Sequence, residues 1–224
     1  MLTPTVRELT LDPGPDFVFE PGQWVSIRIP AATGEDIARS YSLASAPRDD
    51  GTFDLAVTRV ERGAASNFLH ALPVGSDVTI SRAQGFFAMD ALDRPAMLVA
   101  TGTGVSPFRS MLQHLARGQQ PLPNPVRLLL GVRTEADMLY ADELRVLAQA
   151  APPFRFEVTL SRGSEAWAGK RGYVQQHVPG LVRELGADCT VYVCGLSKMV
   201  KDVRKLLKIE LGLSKDRIHT ERYD

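Results

Sequence analysis

The sequence predicts an N-terminal antiparallel β-barrel followed by a C-terminal α/β domain with a parallel five-stranded sheet. Up to about residue 90, apolar and polar residues alternate in short runs, which is typical of half-buried antiparallel strands. After Pro95, continuous apolar runs alternate with stretches of helical spacing, as in parallel sheets covered by helices on both faces. We therefore predict domains at residues 1–92 and 93–224.

Short strands fill the N-terminal half. The predicted strands are TVRELTL, DFVFE, QWVSIRI, SYSLAS, FDLAVTRVE and DVTISR. Turn signals such as DPGPD, ATGED and PRDDG separate them, and SNFLHAL predicts one short helix. Regular spacing of short strands favours a closed barrel, which leaves no unpaired edge.

Strands and helices alternate in the C-terminal half. The predicted strands are AMLVATG, VRLLLGVR, FRFEVTLS, TVYVCG and RIHTERYD. The predicted helices are SPFRSMLQHLARG, ADMLYADELRVLAQA, GYVQQHVPGLVREL, which Pro179 interrupts, and LSKMVKDVRKLLKIELG. Ligands of such sheets bind beyond the carboxyl ends of the strands. We therefore expect a site in the loops after Ala100, Gly131, Leu160 and Cys194.

The composition is that of a soluble globular protein, with 44% apolar residues and zero net charge over 224 residues. No charge excess points to nucleic acid, and no apolar run has the length of a signal peptide or membrane span. The two cysteines, Cys189 and Cys194, are too few for a disulfide framework or for an iron–sulfur cluster, which needs about four ligands. The four histidines lack metal-ligand spacing. We expect a cytoplasmic protein without a metal site.

A glycine loop follows the first apolar strand of the second half. It reads TGTGVSPFRS, from Thr101 to Ser110, with Ser106 as a candidate helix cap and Pro107 in the first helical turn. A helix N-terminus after such a loop favours a pyrophosphate. A purely structural turn is the alternative, but the position of the loop favours a nucleotide. Because Pro107 replaces the third glycine of G-x-G-x-x-G, an ordinary Rossmann site is the poorer description.

Basic residues follow the next two strands. Arg133 follows the second strand, and Ser161, Arg162, Lys170 and Arg171 follow the third. An acid at such a position binds the ribose of NAD, whereas arginines suit a 2′-phosphate. Solvated loop charge is the alternative. The pattern favours NADP.

The run R-S-Y-S, Arg39–Ser42, lies in a predicted strand of the first half. Alternation sends Arg39 and Tyr41 to one face and Ser40 and Ser42 to the other. Two interpretations fit this run. One is a half-exposed strand with polar side chains, and the other is a binding site for a cofactor with an anionic end and a flat ring.

Four motifs together resemble the ferredoxin–NADP reductase family. They are R-S-Y-S, G-T-G-V-S-P-F-R-S, V-Y-V-C-G-L and the terminal E-R-Y, in this order over nearly the whole chain. The resemblance implies an N-terminal flavin barrel and a C-terminal pyridine-nucleotide domain, without a fused iron–sulfur domain.

The resemblance implies a flavin site in the first half. Arg39 would pair with the pyrophosphate, Tyr41 would lie against the isoalloxazine, and Ser42 would hydrogen-bond near its reactive nitrogen. The run Gly63–Ser66 matches the family's G-x-x-S phosphate site and favours FAD over FMN, although a plain cap by Ser66 is the alternative. The implied flavin-binding residues are Arg39, Ser40, Tyr41, Ser42, Val57, Thr58, Arg59, Gly63, Ala64, Ala65 and Ser66.

In the second half the resemblance implies an NADP(H) site. Arg171 stands where plant-type reductases carry a lysine for the 2′-phosphate. The run W-x-G-K-R-G-Y also resembles relatives that prefer NADH, so NAD(H) stays an open alternative. The predicted nucleotide-binding residues are Thr101, Gly102, Thr103, Gly104, Pro107, Arg133, Ser161, Arg162, Arg171, Tyr173 and Cys194, and Tyr223 is the last predicted cofactor-binding residue.

Four residues are expected to act in catalysis. Ser42 would contact the flavin and Cys194 the nicotinamide, although Cys194 also fits a small core residue. Glu221 would hold the nicotinamide or relay a proton near Ser42. Tyr223, one residue before Asp224, would cover the flavin and move aside for the nicotinamide.

The resemblance implies hydride transfer from NADPH to FAD. Electrons would then pass singly to ferredoxin, flavodoxin or an oxygenase component, from a monomeric flavoenzyme like ferredoxin–NADP(+) reductase. The alternatives are an NADH-dependent reductase of a haem protein or of free flavin, and an electron-transfer subunit active only in a complex.

Overall fold

The computed structural model describes residues 1–30, 36–89, 92–118 and 122–223. Contacts divide the chain into two compact units. The first comprises Met1–Ala88 with Ser106–His114, and the second comprises Met89–Val105 with Leu115–Asp224. The domain boundary between residues 92 and 93 stays a prediction, and Asp224 and the first four residues of the ATGED turn lie outside the described residues.

Antiparallel pairing in the first unit was predicted and is confirmed. The strands are β1 (Val6–Leu11), β2 (Trp24–Ile29), β3 (Ile37–Ser42), β4 (Phe53–Thr58) and β5 (Thr79–Ile80), and the helix α1 spans Ala64–Ala71. They form a two-stranded sheet, β1-β4, and a three-stranded sheet, β3-β2-β5. An isolated antiparallel bridge between Leu43 and Leu55 connects the end of β3 to β4.

The predicted strand DFVFE is wrong, because Asp16–Glu20 pairs with no strand among the described residues. Phe17 and Phe19 pack instead around Phe53, with ring centroids 5.2 and 6.0 Å from it. Val18 between them is 83% exposed. Alternating burial thus arises here from packing of a loop on the core, without a hydrogen-bonded ladder.

The second unit is built on a parallel sheet of six strands, in the order β11-β10-β6-β7-β8-β9. The strands are β6 (Ala96–Thr101), β7 (Val126–Val132), β8 (Phe154–Leu160), β9 (Lys170–Arg171), β10 (Thr190–Leu196) and β11 (Ile218–Tyr223). The prediction of five strands missed β9. This strand has only two residues, which pair with Thr159 and Leu160, so it carries no periodicity.

Helices in the C-terminal half are α2 (Ser106–Arg117), α3 (Ala141–Ala150), α4 (Val178–Leu185) and α5 (Ser197–Lys205). The helix predicted from Ala136 begins only at Ala141, because Glu135–Asp137 forms a 3₁₀ turn and Tyr140 has a φ of 55°. Pro179 lies in the first turn of α4, where its missing N–H is harmless.

The strand order reverses at β6. The chain runs from β6 to β7 and β8 on one side, and later places β10 and β11 on the other. Ligands of open parallel sheets bind at the carboxyl ends of the strands where the order reverses. The topology therefore points to the end of β6 at Thr101 and to the last part of β10, where Cys194 is the final residue paired with β6.

No helix in the described ranges is long and apolar enough to cross a membrane. The same ranges contain no group of three or more histidine, cysteine or acidic side chains placed to bind a metal ion.

Candidate functional site

Tyr41 lies on the interior face of its sheet. It pairs with Val25, and Arg39 pairs with Ile27; both partners are fully buried. Tyr41 itself is partly buried against this apolar cluster. Burial raises the pKa of its phenol, although the Arg39 charge opposes the shift. The phenol is therefore a protonated donor at neutral pH.

Arg39 and Ser40 are exposed, whereas Ser42 at the end of β3 is 6% exposed. Arg39 Nη1 donates to the carbonyl of its neighbour Ala38 at 2.8 Å, which leaves its other N–H groups for an anion. The strand thus presents a cation, a phenol and a buried hydroxyl within four residues.

At the end of β4, mainly backbone groups are available to a ligand. Val57 is fully buried in the core, so its side chain is not available to a ligand. Thr58 and Arg59 are exposed, and Arg59 Nε donates to Asn67 Oδ1 at 2.9 Å.

The run Gly63–Ser66 forms the start of α1. The Ser66 hydroxyl accepts the Val60 N–H at 3.0 Å and donates to the Gly63 carbonyl at 3.2 Å. The first helical backbone hydrogen bond is from Asn67 N–H to Gly63 O. The N–H groups of Ala64, Ala65 and Ser66 precede it and have no partner within the helix. These N–H groups fit a phosphate, whereas the hydroxyl already closes the turn.

Residues of the motif PFRS contact the chain just after Ser42. Arg109 Nη1 donates to the Ala44 carbonyl at 2.8 Å, and Ser110 Oγ donates to the Ser45 carbonyl at 2.6 Å. Gln113 Oε1 accepts the Ala46 N–H at 2.9 Å. Sequence reasoning gave these side chains no role. Their i, i+1, i+4 spacing on an apolar helix face was the available signal.

Asp54, 4% exposed, lies at the centre of this contact. Its carboxylate accepts hydrogen bonds from Arg48 at 2.5 and 3.0 Å, from Arg109 at 3.1 Å and from Thr10 at 2.9 Å. Burial alone raises the pKa of Asp54, but these hydrogen bonds outweigh it and hold the pKa below its ordinary value. The ionised carboxylate therefore ties α2 to β4.

The glycine loop begins its helical run earlier than predicted. Gly102–Val105 is a 3₁₀ turn that continues directly into α2. Val105 is the N-cap and Ser106 is already helical, so the prediction of Ser106 as a cap is wrong. The free N–H groups of the run consequently lie at Gly102–Gly104, whereas Pro107 contributes no N–H.

Close backbone packing explains two glycines at the sheet edge. A Cβ on Gly104 would lie 2.3 Å from the Cys194 carbonyl oxygen. A Cβ on Gly195, which has a φ of +149°, would lie 2.2 Å from Thr101 Oγ1. Both positions therefore require glycine. Because neither residue has a side chain, the loop after β6 packs directly against the end of β10.

The loop contains two buried hydroxyls. Thr101 Oγ1 and Ser106 Oγ are buried, and neither has a hydrogen-bond partner among the described residues. An unsatisfied buried hydroxyl costs about 1–3 kcal/mol. The donor set of Thr101 and the N–H groups of Gly102–Gly104 therefore fits the phosphates or amide of a nucleotide.

Cys194, Glu221 and Tyr223 are brought together in the second unit. Cys194 pairs with Glu221 in the β10–β11 register. Burial raises the pKa of the Cys194 thiol well above its ordinary value, the Glu221 charge raises it further, and a hydrogen bond from Tyr223 opposes both. The thiol is therefore neutral at physiological pH and is no nucleophile. Ser42, the fourth predicted catalytic residue, belongs to the first unit.

The loops after β7 and β8 run side by side. Ser161 N–H donates to the Val132 carbonyl at 3.1 Å, and Arg162 N–H donates to the Arg133 carbonyl at 2.7 Å. The Arg133 side chain forms an ion pair with Asp137 at 3.0 Å. The backbones of Arg133, Ser161 and Arg162 are therefore neighbours, and their contact with a 2′-phosphate stays a prediction.

Arg171 has an unexpected environment. Its guanidinium donates to backbone carbonyls of the preceding loop, at Gly163, Ser164, Glu165 and Trp167, with distances of 2.7–3.2 Å. Tyr173, two residues later, is 67% exposed. The sequence placed both residues after β8, but it missed that Arg171 lies in β9 and could not show where the guanidinium points.

Two family models match the chain. The "Oxidoreductase FAD-binding domain" model matches residues 6–89, and the "Oxidoreductase NAD-binding domain" model matches residues 98–205.

Curated relatives include ferredoxin–NADP reductase B of Sorangium cellulosum, which is 47% identical over 100% of this chain and 93% of its own length. The electron transfer component of toluate 1,2-dioxygenase from Pseudomonas putida is 30% identical over 92% of this chain. This chain spans only 59% of that relative.

Solved structures share the fold. A cytochrome P450 reductase from Amycolatopsis superposes with a TM-score of 0.87 and 28% identity, over 99% of this chain and 66% of its own. A ferredoxin NADP+ reductase from Neisseria gonorrhoeae, with bound FAD and NADP, has a TM-score of 0.82 and 20% identity, over 98% and 93%.

Proposed function

Because this chain belongs to the ferredoxin–NADP reductase family, we propose that it transfers electrons from NADPH through FAD to a separate redox protein. The observation that carries the proposal is 47% identity to a ferredoxin–NADP reductase over the whole chain and 93% of that relative. The chain is an oxidoreductase with FAD- and NAD-binding domains.

In the first unit, Arg39 and the first N–H groups of α1 would hold the phosphates of FAD. Tyr41, a protonated phenol in an apolar setting, would contact the flavin ring. Ser42 would donate a hydrogen bond to the ring. When bound, FAD supplies the redox chemistry, because it takes up an electron pair from a reduced pyridine nucleotide and releases the electrons singly.

In the second unit, the N–H groups of Gly102–Gly104 and the buried Thr101 hydroxyl would bind the pyridine nucleotide. Cys194, a neutral and buried thiol in the last part of β10, would form an apolar wall beside the nicotinamide. Its hydrogen bond from Tyr223 would hold the last strand until the nucleotide replaces that contact.

An acceptor outside these 224 residues is proposed because they hold too few cysteines for an iron–sulfur cluster. The only cysteines, Cys189 and Cys194, are both buried, and a cluster needs about four ligands. The proposed acceptors are ferredoxin, flavodoxin or an oxygenase component, and we place the reaction in the cytoplasm, with the chain acting as a monomer.

One observation favours a second function. The guanidinium groups of Arg171 and Arg133 already bind groups of the protein, a loop carbonyl and the Asp137 carboxylate. A weaker 2′-phosphate site would suit an NADH-dependent electron-transfer component of an oxygenase, the role named for the Pseudomonas putida relative.

The test is reduction of a purified ferredoxin by the FAD-loaded chain, followed by absorbance, with NADPH and NADH as separate donors. NADPH-driven reduction is expected, and ferricyanide as acceptor controls for an active flavin. Ferricyanide reduction without reduction of ferredoxin or flavodoxin would contradict the proposed acceptor. A clear preference for NADH would favour the second function.

A further inference from the structure

The side chain of Asn67 binds the loop that leads into α1. Its Nδ2 donates to the carbonyls of Gly63 at 3.0 Å, Val60 at 3.1 Å and Glu61 at 3.3 Å. Its backbone N–H donates to the same Gly63 carbonyl, also at 3.0 Å. One residue therefore closes the first turn of the helix and ties the preceding loop to that turn.

These contacts fix the direction of the Asn67 amide. A carbonyl only accepts hydrogen bonds, so the amide nitrogen must face the loop and the amide oxygen must face away from it. That oxygen accepts a hydrogen bond from Arg59 Nε at 2.9 Å, as it must, because a guanidinium only donates. Asn67 therefore joins Arg59, the residue after β4, to the start of α1.

The anchored Nε leaves the rest of the Arg59 guanidinium available to a ligand. Arg59 is exposed, and its Nη1 and Nη2 have no hydrogen bond or ion pair within the described residues. A free surface arginine loses rotamer freedom when it binds an anion, whereas one that is already held at Nε loses less. The outer N–H groups are thus presented in a preorganised plane, the geometry that matches phosphate oxygens.

The same loop contains an arginine without such an anchor. Arg62 is exposed, and its guanidinium has no hydrogen bond or ion pair in the part of the chain that the structure describes. Arg59 and Arg62 carry the same charge and lie three residues apart. They differ in whether the protein orients that charge.

We propose that Asn67 is a positioning residue for the flavin nucleotide, because it orients the Arg59 guanidinium towards the phosphates that the first N–H groups of α1 bind. This inference rests on the proposed binding of FAD. The resemblance implied a flavin contact by Arg59 but gave Asn67 no role, and the inference adds the side chain that sets this contact.

Calorimetric titration of FAD into the apoprotein tests this role with a double-mutant cycle. Arg59→Ala is expected to weaken FAD binding by roughly ten- to hundredfold, since it removes a charge-assisted hydrogen bond. Asn67→Ala is expected to weaken it by roughly tenfold, because the guanidinium stays but is no longer oriented. In the Arg59→Ala background, Asn67→Ala should have almost no further effect, because the two residues act as one unit.

Arg59→Lys gives a second measurement that leaves Asn67 intact and does not depend on whether Asn67→Ala folds. Lysine keeps the charge but lacks the planar fork, so the Asn67 oxygen cannot orient it in the same way. A loss of FAD affinity close to that of Arg59→Ala is expected. Arg62→Ala is the matched control, and it should change the dissociation constant of FAD by less than about threefold, because the charge that it removes is not oriented.

Additive losses in the cycle would overturn the positioning role, since they would show that Asn67 does not act through Arg59. Wild-type affinity in Asn67→Ala or in Arg59→Lys would also overturn it. Equal losses in Arg62→Ala and Arg59→Ala would overturn it in favour of the general charge of the loop. Failure of the proposed function is distinct from these outcomes, because the wild-type apoprotein would then bind no FAD.

Discussion

Ser66 makes two separate contributions at the start of α1. Its hydroxyl joins the Val60 N–H to the Gly63 carbonyl, which stabilises the turn. Its backbone N–H belongs to the first helical turn and is available to an anion. Phosphate binding at this position therefore depends on the backbone, and turn stability depends on the side chain.

Ser66→Ala should lower the free energy of unfolding by about 1–2 kcal/mol, because the Val60 N–H loses its acceptor. The dissociation constant of FAD should change by less than about threefold, since the N–H donors remain. Urea denaturation of the apoprotein and FAD titration measure the two effects. Ser76→Ala, at an exposed turn, is the control and should change neither.

A stable Ser66→Ala variant with a tenfold loss of FAD affinity would contradict these separate roles of backbone and side chain, because it would show that the hydroxyl itself binds the phosphate.

At the scale of elements, the segment Ser106–His114 of α2 is held by side chains of the first unit. Asp54 on β4 binds Arg109, and the carbonyls of Ala44 and Ser45 accept from Arg109 and Ser110. A buried charge is tolerated only when it is paired and hydrogen-bonded. Loss of either partner therefore affects the helix, the strand and the chain after Ser42 together.

Asp54→Asn should destabilise the protein by about 3–5 kcal/mol, since it removes the anion that Arg48 pairs with and leaves Arg109 only the more distant Glu8 carboxylate, at 3.6 Å. The folded-state pKa of Asp54 is depressed. Its stabilisation is therefore present above the unfolded pKa of about 4 and is lost as the pH falls through the folded value. Urea unfolding between pH 7 and pH 3 measures this as a steeper loss of stability in the wild type than in Asp54→Asn.

Asp77→Asn, at an exposed position, is the matched control and should keep the wild-type pH dependence. If Asp54→Asn unfolds with the stability and pH dependence of the wild type, the ion-pair network does not hold α2.

At the scale of the whole molecule, the sequence predicted the change from antiparallel to parallel pairing, because alternating and continuous apolar runs have different causes. It also placed the loops after β6, β7, β8 and β10 at one end of the sheet, because the carboxyl ends of parallel strands all lie at the same end. It missed β9, whose two residues have no period, and it mistook Asp16–Glu20 for a strand because loop packing mimics alternation.

The partners of individual side chains were less predictable. The positions of Arg171 and Ser66 were known, but their guanidinium and hydroxyl bind backbone carbonyls whose directions follow from loop conformation. The environment of Arg109 was easier to infer from the sequence, because a cation on an apolar helix face predicts a buried anionic partner. The sequence cannot name that partner, since Asp54 lies 55 residues away in the chain.

Electron transfer from a pyridine nucleotide to FAD is tested by the absorbance spectrum of the purified chain, reconstituted with FAD and mixed anaerobically with NADPH or NADH. We expect a yellow protein that releases FAD on denaturation and whose flavin band is bleached by NADPH faster than by NADH. A colourless chain that binds no added flavin, or a bound flavin that neither nucleotide bleaches, would contradict it.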